Sequence, residues 1–168
     1  MHWVERWDEP SFDTLLTACE DEVGLVVLDS SSSASASSRY SYVCIAPFAS
    51  FQIKSGQAIW NETILLEGCP WAQLKKQLQS YTLAHDPDLP PFQGGVAGYW
   101  GYELAHTLES FPKTHDFIQF ADCVLYFYSS VVAYDHKKRE VILMATGMPA
   151  SGLSEREKQA RADLVHTT

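Results

Sequence analysis

The sequence lacks most of the features that announce a function. No stretch approaches the roughly 20 consecutive apolar residues that a spanning helix needs, so no membrane partner is expected. The first ten residues, MHWVERWDEP, hold no apolar run flanked by basic residues. No signal peptide is therefore expected, and the chain reads as cytoplasmic. Basic residues are scarce: 12 Lys and Arg stand against 21 Asp and Glu, a net charge of -9 with a pI near 5.0. Nucleic-acid backbones need clustered Lys and Arg, so nucleic acid is not expected as a partner. Cysteine is sparse as well. Cys19, Cys44, Cys69 and Cys123 form no CxxC pair, and their neighbours are often apolar. A disulfide scaffold in a small secreted domain would be denser. Reduced, mostly buried thiols are expected. There is no internal repeat.

Catalytic motifs are missing too. The glycine-rich stretch PFQGGVAGYWGYELAHTLES, residues 91–110, is the obvious place to look for a phosphate loop. It lacks the Lys and Ser/Thr that would hold phosphate and metal, and it holds no complete G-x-G-x-x-G. Gly95, Gly98 and Gly101 recur every third residue among Tyr99, Trp100 and Tyr102. That pattern suits a bending, closely packed backbone. His2, His85, His106, His115, His136 and His166 show neither i, i+4 pairing on a helix nor zinc spacing to a cysteine. No GxSxG elbow is present. The basic run His136-Lys137-Lys138-Arg139 reads as a solvated hairpin tip.

What is present is a globular chain. It has 168 residues, 46% of them hydrophobic, enough to bury a core and consistent with one domain spanning 1–168. Phe12, Leu15, Leu16 and Cys19 fall at helical spacing behind the candidate cap Ser11. The run GLVVLDS, residues 24–30, predicts a buried strand. Residues 30–38 are a serine-rich run, expected to be a mobile loop. Residues 39–54 predict two strands broken near Pro47, followed by a turn at Ser55-Gly56 and two more short strands. Pro70 opens a helix with Trp71, Leu74, Leu78 and Tyr81 along one stripe. Residues 84–95 read as an ordered crossing segment. Residues 122–146 give two apolar runs flanking Asp135-His136-Lys137-Lys138, a hairpin. Ser154 and Glu157 have capping-box spacing at the start of a last helix, whose apolar face is Leu153, Ala160, Leu164 and Val165. The class is α+β, mostly antiparallel strands in a sandwich-like sheet with a few outer helices.

One segment carries binding chemistry. A strand ends at Asp29-Ser30, and Ser37-Ser38-Arg39-Tyr40 opens another. Neighbouring strands would bring together an acid, hydroxyls, a guanidinium and a phenol. An acid meets an ammonium and an arginine meets a carboxylate, a complement for a small zwitterion such as an amino acid. The plainer alternative is an Asp29–Arg39 ion pair beside a loop.

Three stretches in order, LDSS…SRYSYVCIAPFASF, PFQGGVAGYWGYELAHTLES and DCVLYFYSSVVAYDHKKREVIL, resemble one family from about Gly24 to Met144. The chain is similar to the N-terminal domain of component I of aminodeoxychorismate synthase, also called para-aminobenzoate synthase. The large subunit of anthranilate synthase is its sister. The resemblance implies a β-sandwich core completed by a larger chorismate-binding part absent from this chain. It implies that the chorismate site, the magnesium-binding carboxylates and a lysine lie in that part, so that this chain alone does no chemistry. The parent would take ammonia from a glutamine amidotransferase subunit and aminate chorismate, and a lyase would then give para-aminobenzoate for folate. The alternatives are the corresponding domain of anthranilate synthase, or a free-standing amino-acid sensor. Relatives hold L-tryptophan in a pocket that implies Ser30, Ser37, Ser38, Arg39 and Tyr40 as contact residues here. Relatives with Leu-Leu-Glu-Ser contrast with Val27-Leu28-Asp29-Ser30, whose acid is one methylene shorter, so weak or no tryptophan binding by this chain alone is expected. Residues 91–110 are implied to be a strand-to-helix corner.

Overall fold

Alternation of apolar and polar residues along short β-branched and aromatic runs makes antiparallel sheet the dominant element. The computed structural model describes residues 2–8, 11–30, 38–65, 68–109 and 120–167. They form ten strands and three α-helices in two compact units. The first unit contains residues 1–48, 83–95 and 128–168; the second contains 49–82 and 96–127. The class is α+β, with two antiparallel five-stranded sheets.

The first unit is built on β1 (Trp3–Trp7), β2 (Val26–Leu28), β3 (Tyr40–Cys44), β9 (Ser130–Asp135) and β10 (Glu140–Ala145), in the order β1-β10-β9-β3-β2. Its strongest pairing is the β9–β10 hairpin, with Asp135 opposite Glu140 and Ser130 opposite Ala145. Ser41 lies opposite Tyr134, and Val43 opposite both Val132 and Val27. Because side chains alternate, this face runs from Ser41 to Val43 on one strand and from Tyr134 to Val132 on the next. Two helices cover it: α1 (Phe12–Cys19) and α3 (Leu153–Thr167). Their Phe12, Ala160 and Leu164 join Val43, Ile45, Val132, Val141, Leu143 and Ala145 in one buried cluster.

The second unit holds β4 (Ala49–Lys54), β5 (Gln57–Trp60), β6 (Thr63–Leu65), β7 (Gly95–Trp100) and β8 (Cys123–Tyr128), in the order β6-β5-β4-β8-β7. Ser55-Gly56 and Asn61-Glu62 both have positive φ at two successive positions, the twist that suits two-residue hairpin turns. Helix α2 (Pro70–Ser80) begins on its proline and buries Leu74. Its Trp71 stacks on Trp100, with centroids 5.8 Å apart and planes 3° apart.

Most expected elements form, with five differences. The run 24–30 is expected to be a buried strand, but β2 has three residues at the end of the described sheet, with Leu28 43% exposed. β1 is a strand that the amino-terminal composition did not announce: Trp3 and Trp7 pack against the buried cluster only because β10 supplies the partner. Residues 123–135 read as one apolar run but are two strands in different sheets, separated by Ser129 alone. The capping box does not form. α3 starts at Leu153, so Ser154 lies inside the first turn, and Gly152 accepts the first backbone bond from Arg156. Finally, Leu153 is 72% exposed and outside the apolar face, while Ala160 and Leu164 are buried. The thiols are free, with Cys44 and Cys123 buried, Cys19 half-buried and Cys69 exposed. Burial pushes the Cys44 thiol up to about 12.

Candidate functional site

The end of β2 and the start of β3 meet at one fully buried hydroxyl. Ser41 Oγ lies 2.8 Å from Asp29 Oδ1, 2.7 Å from His136 Nε2 and 2.9 Å from the backbone nitrogen of Ser30. A serine hydroxyl has one proton, and an ionised carboxylate only accepts. Ser41 therefore donates to Asp29, and accepts from the Ser30 N–H and from His136 as its Nε2–H form. The proton direction is opposite to that of a nucleophilic triad, where histidine accepts from serine. This grouping orients a carboxylate and activates no nucleophile. Ser30 Oγ adds a bond to the Tyr40 carbonyl at 2.8 Å, which closes the β2–β3 end.

These residues open onto a cleft of about 420 Å³ lined by Ser11, Phe12 and Asp13 from the start of α1, and by Asp29, Ser30, Ser38, Tyr134 and His136. The α1 end is fixed by Ser11, whose hydroxyl accepts from the Thr14 N–H at 3.3 Å. Phe12, Tyr134 and His136 form a three-ring cluster. Ring centroids are 5.9 Å apart for Phe12–Tyr134, 6.1 Å for Phe12–His136 and 5.0 Å for Tyr134–His136. Edge-on and tilted contacts of this kind fix ring orientation.

The residues expected to line an amino-acid pocket divide. Ser30 and Ser38 line this cleft. Ser37 lies outside the described residues, as do most of the serine-rich positions. Arg39 pairs with Asp135 rather than Asp29: its Nε donates to Asp135 Oδ2 at 3.0 Å, and Nη2 donates to the same oxygen. The anticipated Asp29–Arg39 ion pair is thus replaced by an Asp29–Ser41 bond and an Arg39–Asp135 pair. The Arg39 guanidinium also lies 4.8 Å from the centroid of the Tyr40 ring. Tyr40 lies on the opposite face of β3 from Ser41, the face on which Tyr42 meets Phe92 edge-on at 5.7 Å.

Asp135, expected in the hairpin between two apolar runs, is a second organising acid. It is fully buried at the end of β9. Its Oδ1 accepts from the backbone N–H groups of Lys137 and Lys138 at 3.0 and 3.2 Å. Burial acts to raise its pKa; the Arg39 hydrogen bond, the two backbone donors and the Arg39 charge outweigh that, and the net direction is down. Lys137, Lys138 and Arg139 are exposed, as a solvated tip should be, but His136 turns inward to Ser41.

The glycine-rich stretch carries neither site. Residues 95–100 form β7, and a 3-10 helix follows at Tyr102–Thr107, the strand-to-helix corner that the resemblance implies. A Cβ on Gly98 would lie 2.0 Å from the Val124 carbonyl oxygen, so the glycine serves close packing of β7 on β8. Upstream, the crossing segment is ordered by Gln93, whose amide donates to the Asp86 carbonyl at 2.6 Å and accepts from the Asp86 N–H at 3.0 Å. Among the described residues no group of three His, Cys, Asp or Glu is placed to hold a metal ion, and no helix is long and apolar enough to cross a membrane.

Comparison with known proteins places this architecture. A crystal structure of anthranilate synthase component I from Streptococcus pneumoniae TIGR4 superposes with a TM-score of 0.62 at 21% identity, covering 91% of this chain and 34% of that chain. The fold is therefore that of anthranilate synthase component I. A family profile described as chorismate binding enzyme matches residues 28–168, and the chain belongs to that family. Anthranilate synthase component 1 of Mycobacterium tuberculosis (strain ATCC 25618 / H37Rv) is 27% identical over 150 residues, covering 84% of this chain. The Cereibacter sphaeroides protein of the same name is 35% identical over 98 residues, covering 58% of this chain. The chain spans 29% and 20% of the lengths of these two relatives.

Proposed function

We propose that this chain is the N-terminal, non-catalytic part of component I of a chorismate-aminating synthase, and that the product is 4-amino-4-deoxychorismate, the precursor of para-aminobenzoate and folate. The observation that carries the family part of this reading is the match over residues 28–168. The Pro91-Phe92-Gln93-Gly94-Gly95 wording favours the folate branch. A second reading, the tryptophan branch, is favoured by the relatives named above, which are anthranilate synthases. In either reading a glutamine amidotransferase subunit supplies ammonia. Chorismate and Mg2+ bind the part of the enzyme that this chain does not contain.

Ser30, Ser37, Ser38, Arg39 and Tyr40 are the proposed L-tryptophan contacts in the assembled enzyme. Binding by this chain alone is weak, because Arg39 must leave Asp135 to meet a carboxylate. Calorimetry with L-tryptophan checks this; sub-micromolar binding would overturn it.

The deciding experiment supplies chorismate, Mg2+ and ammonia to the full gene product and identifies what forms. Aminodeoxychorismate, trapped as para-aminobenzoate by added lyase, is the expected outcome. Anthranilate moves the protein to the tryptophan branch. Neither product would overturn both readings.

A further inference from the structure

Gln93 makes the crossing segment sensitive to a single proton. Its side-chain amide closes the segment on itself: Oε1 accepts from the Asp86 N–H at 3.0 Å, and Nε2 donates to the Asp86 carbonyl at 2.6 Å. Turning the amide over would set donor against donor and oxygen against oxygen, so these two bonds fix which end carries the protons. Nε2 then has one N–H left, and it faces His85 Nε2 at 3.3 Å. A donor facing a ring nitrogen needs a lone pair there. His85 is therefore the neutral imidazole with its proton on Nδ1. A proton on Nε2 replaces the lone pair by a second donor, and the bond is lost.

The two partners differ in exposure. His85 is exposed, so solvent protons reach its ring, and once charged it has water to turn to. Gln93 is buried. An amide N–H left without an acceptor in such a place is the costly case. The turn that Gln93 closes also carries Pro90 and Phe92. Pro90 is fully buried, the Phe92 N–H donates to Tyr42 Oη at 3.4 Å, and the Phe92 ring meets Tyr42 edge-on at 5.7 Å. These contacts lay the segment on β3. Two other titratable side chains reach this corner: Asp86 from the segment itself and His2 from the residue before β1. Burial above all, then the amino-terminal charge, holds the His2 pKa below its ordinary value; Asp86 acts upward on it, and a charged His85 acts downward. Charge on both histidines at once is thus disfavoured.

We propose that His85 and Gln93 form a pH-sensitive latch: neutral His85 keeps the crossing segment fastened on β3, and a proton on His85 Nε2 releases the turn from Asp86 to Gln93. The latch is closed at neutral pH and above, and opens as pH falls through the histidine range. It is a local opening that leaves the sheet formed. It stands apart from the branch assignment and needs no ligand.

The test follows the ¹⁵N-labelled chain from about pH 8 to about pH 5, a span that covers histidine and stays above the ordinary carboxylate range. At the upper end the ring-nitrogen shifts should identify His85 as the Nδ1–H tautomer. Protection of the Asp86 amide against hydrogen exchange, corrected for the intrinsic rate at each pH, should fall about fivefold toward the lower end, the scale of one hydrogen bond. The Gln93 side-chain amide should shift along the same curve as the His85 ring. His85→Gln puts an amide oxygen within reach of Gln93 and cannot titrate, so protection should stay high and flat. His85→Ala has no acceptor, so protection should be low at both ends. His2→Gln should keep the transition. Dispersed spectra confirm that each variant is folded. An Nε2–H tautomer at the upper end, an unchanged wild-type protection, an equal fall in His85→Gln, or loss of the transition in His2→Gln would each overturn the latch.

Discussion

Asp135 combines two tasks in one side chain: it ends β9 by accepting the Lys137 and Lys138 N–H groups, and it anchors Arg39. Asp135→Asn keeps one acceptor oxygen but removes the charge. The expected loss is about 2 kcal/mol at pH 7, the scale of hydrogen bonds to a charged group, read from urea unfolding. The pH dependence has a definite sign. A folded pKa below the unfolded value means that the carboxylate stabilises the fold above the ordinary range near 4, and that this is lost as pH falls through the folded pKa. The gap between wild type and Asp135→Asn should therefore be full at neutral pH and narrow in acid. A gap independent of pH would assign the effect to shape alone. Residues of this kind show where sequence reading stops. Asp29, Ser30, Ser38 and Arg39 were visible as a chemical group because two strand ends carry them. Ser41 and His136 were not, because their contact spans 95 positions and depends on which strands pair. Strand alternation inside residues 40–44 was the available signal for Ser41: it puts Ser41 on the same face as Val43 and opposite to Tyr40 and Tyr42.

Local pattern identified most of the elements because period and turn chemistry are local properties. The β4–β5 turn, the α1 cap and the β9–β10 hairpin all follow from residues within a few positions. β1 and the division at Ser129 do not. An edge strand with Glu5 and Arg6 exposed has no continuous apolar run, and two strands joined by a single residue leave no turn signal. β7 makes the sharpest prediction at this scale. Gly98→Ala would drive a methyl into the Val124 carbonyl, 2.0 Å away, and also toward the Leu125 backbone. Neither is the end of a flexible side chain, so strands must separate. A cost of about 3 kcal/mol or more is expected, at the upper end of overpacking penalties. Urea unfolding measures it, and hydrogen exchange at the Gly101 N–H, bonded to the Asp122 carbonyl at 2.8 Å, localises it. A variant as stable as wild type would show that β7 moves freely on β8.

On the scale of the whole molecule, exposed apolar surface gathers in the second unit. Among the described strands β7 is the edge of its sheet, with Trp100 52% and Tyr99 45% exposed, and Tyr102 and Phe120 at 93% and 74%. An unpaired, aromatic edge invites association. Sedimentation of this chain should show concentration-dependent self-association, and Trp100→Lys should diminish it by placing a charge on the edge. A wild-type chain that remains monomeric at high concentration would count against this. The order of strands has another consequence, measured in time. Arg6 meets Glu140 across 134 positions, and among the described strands β1 pairs with β10 alone. A ribosome adds about 5–20 residues per second, so Trp3 and Trp7 emerge many seconds before the strand that covers them. During that interval Trp3 and Trp7 wait without the strand that seats them.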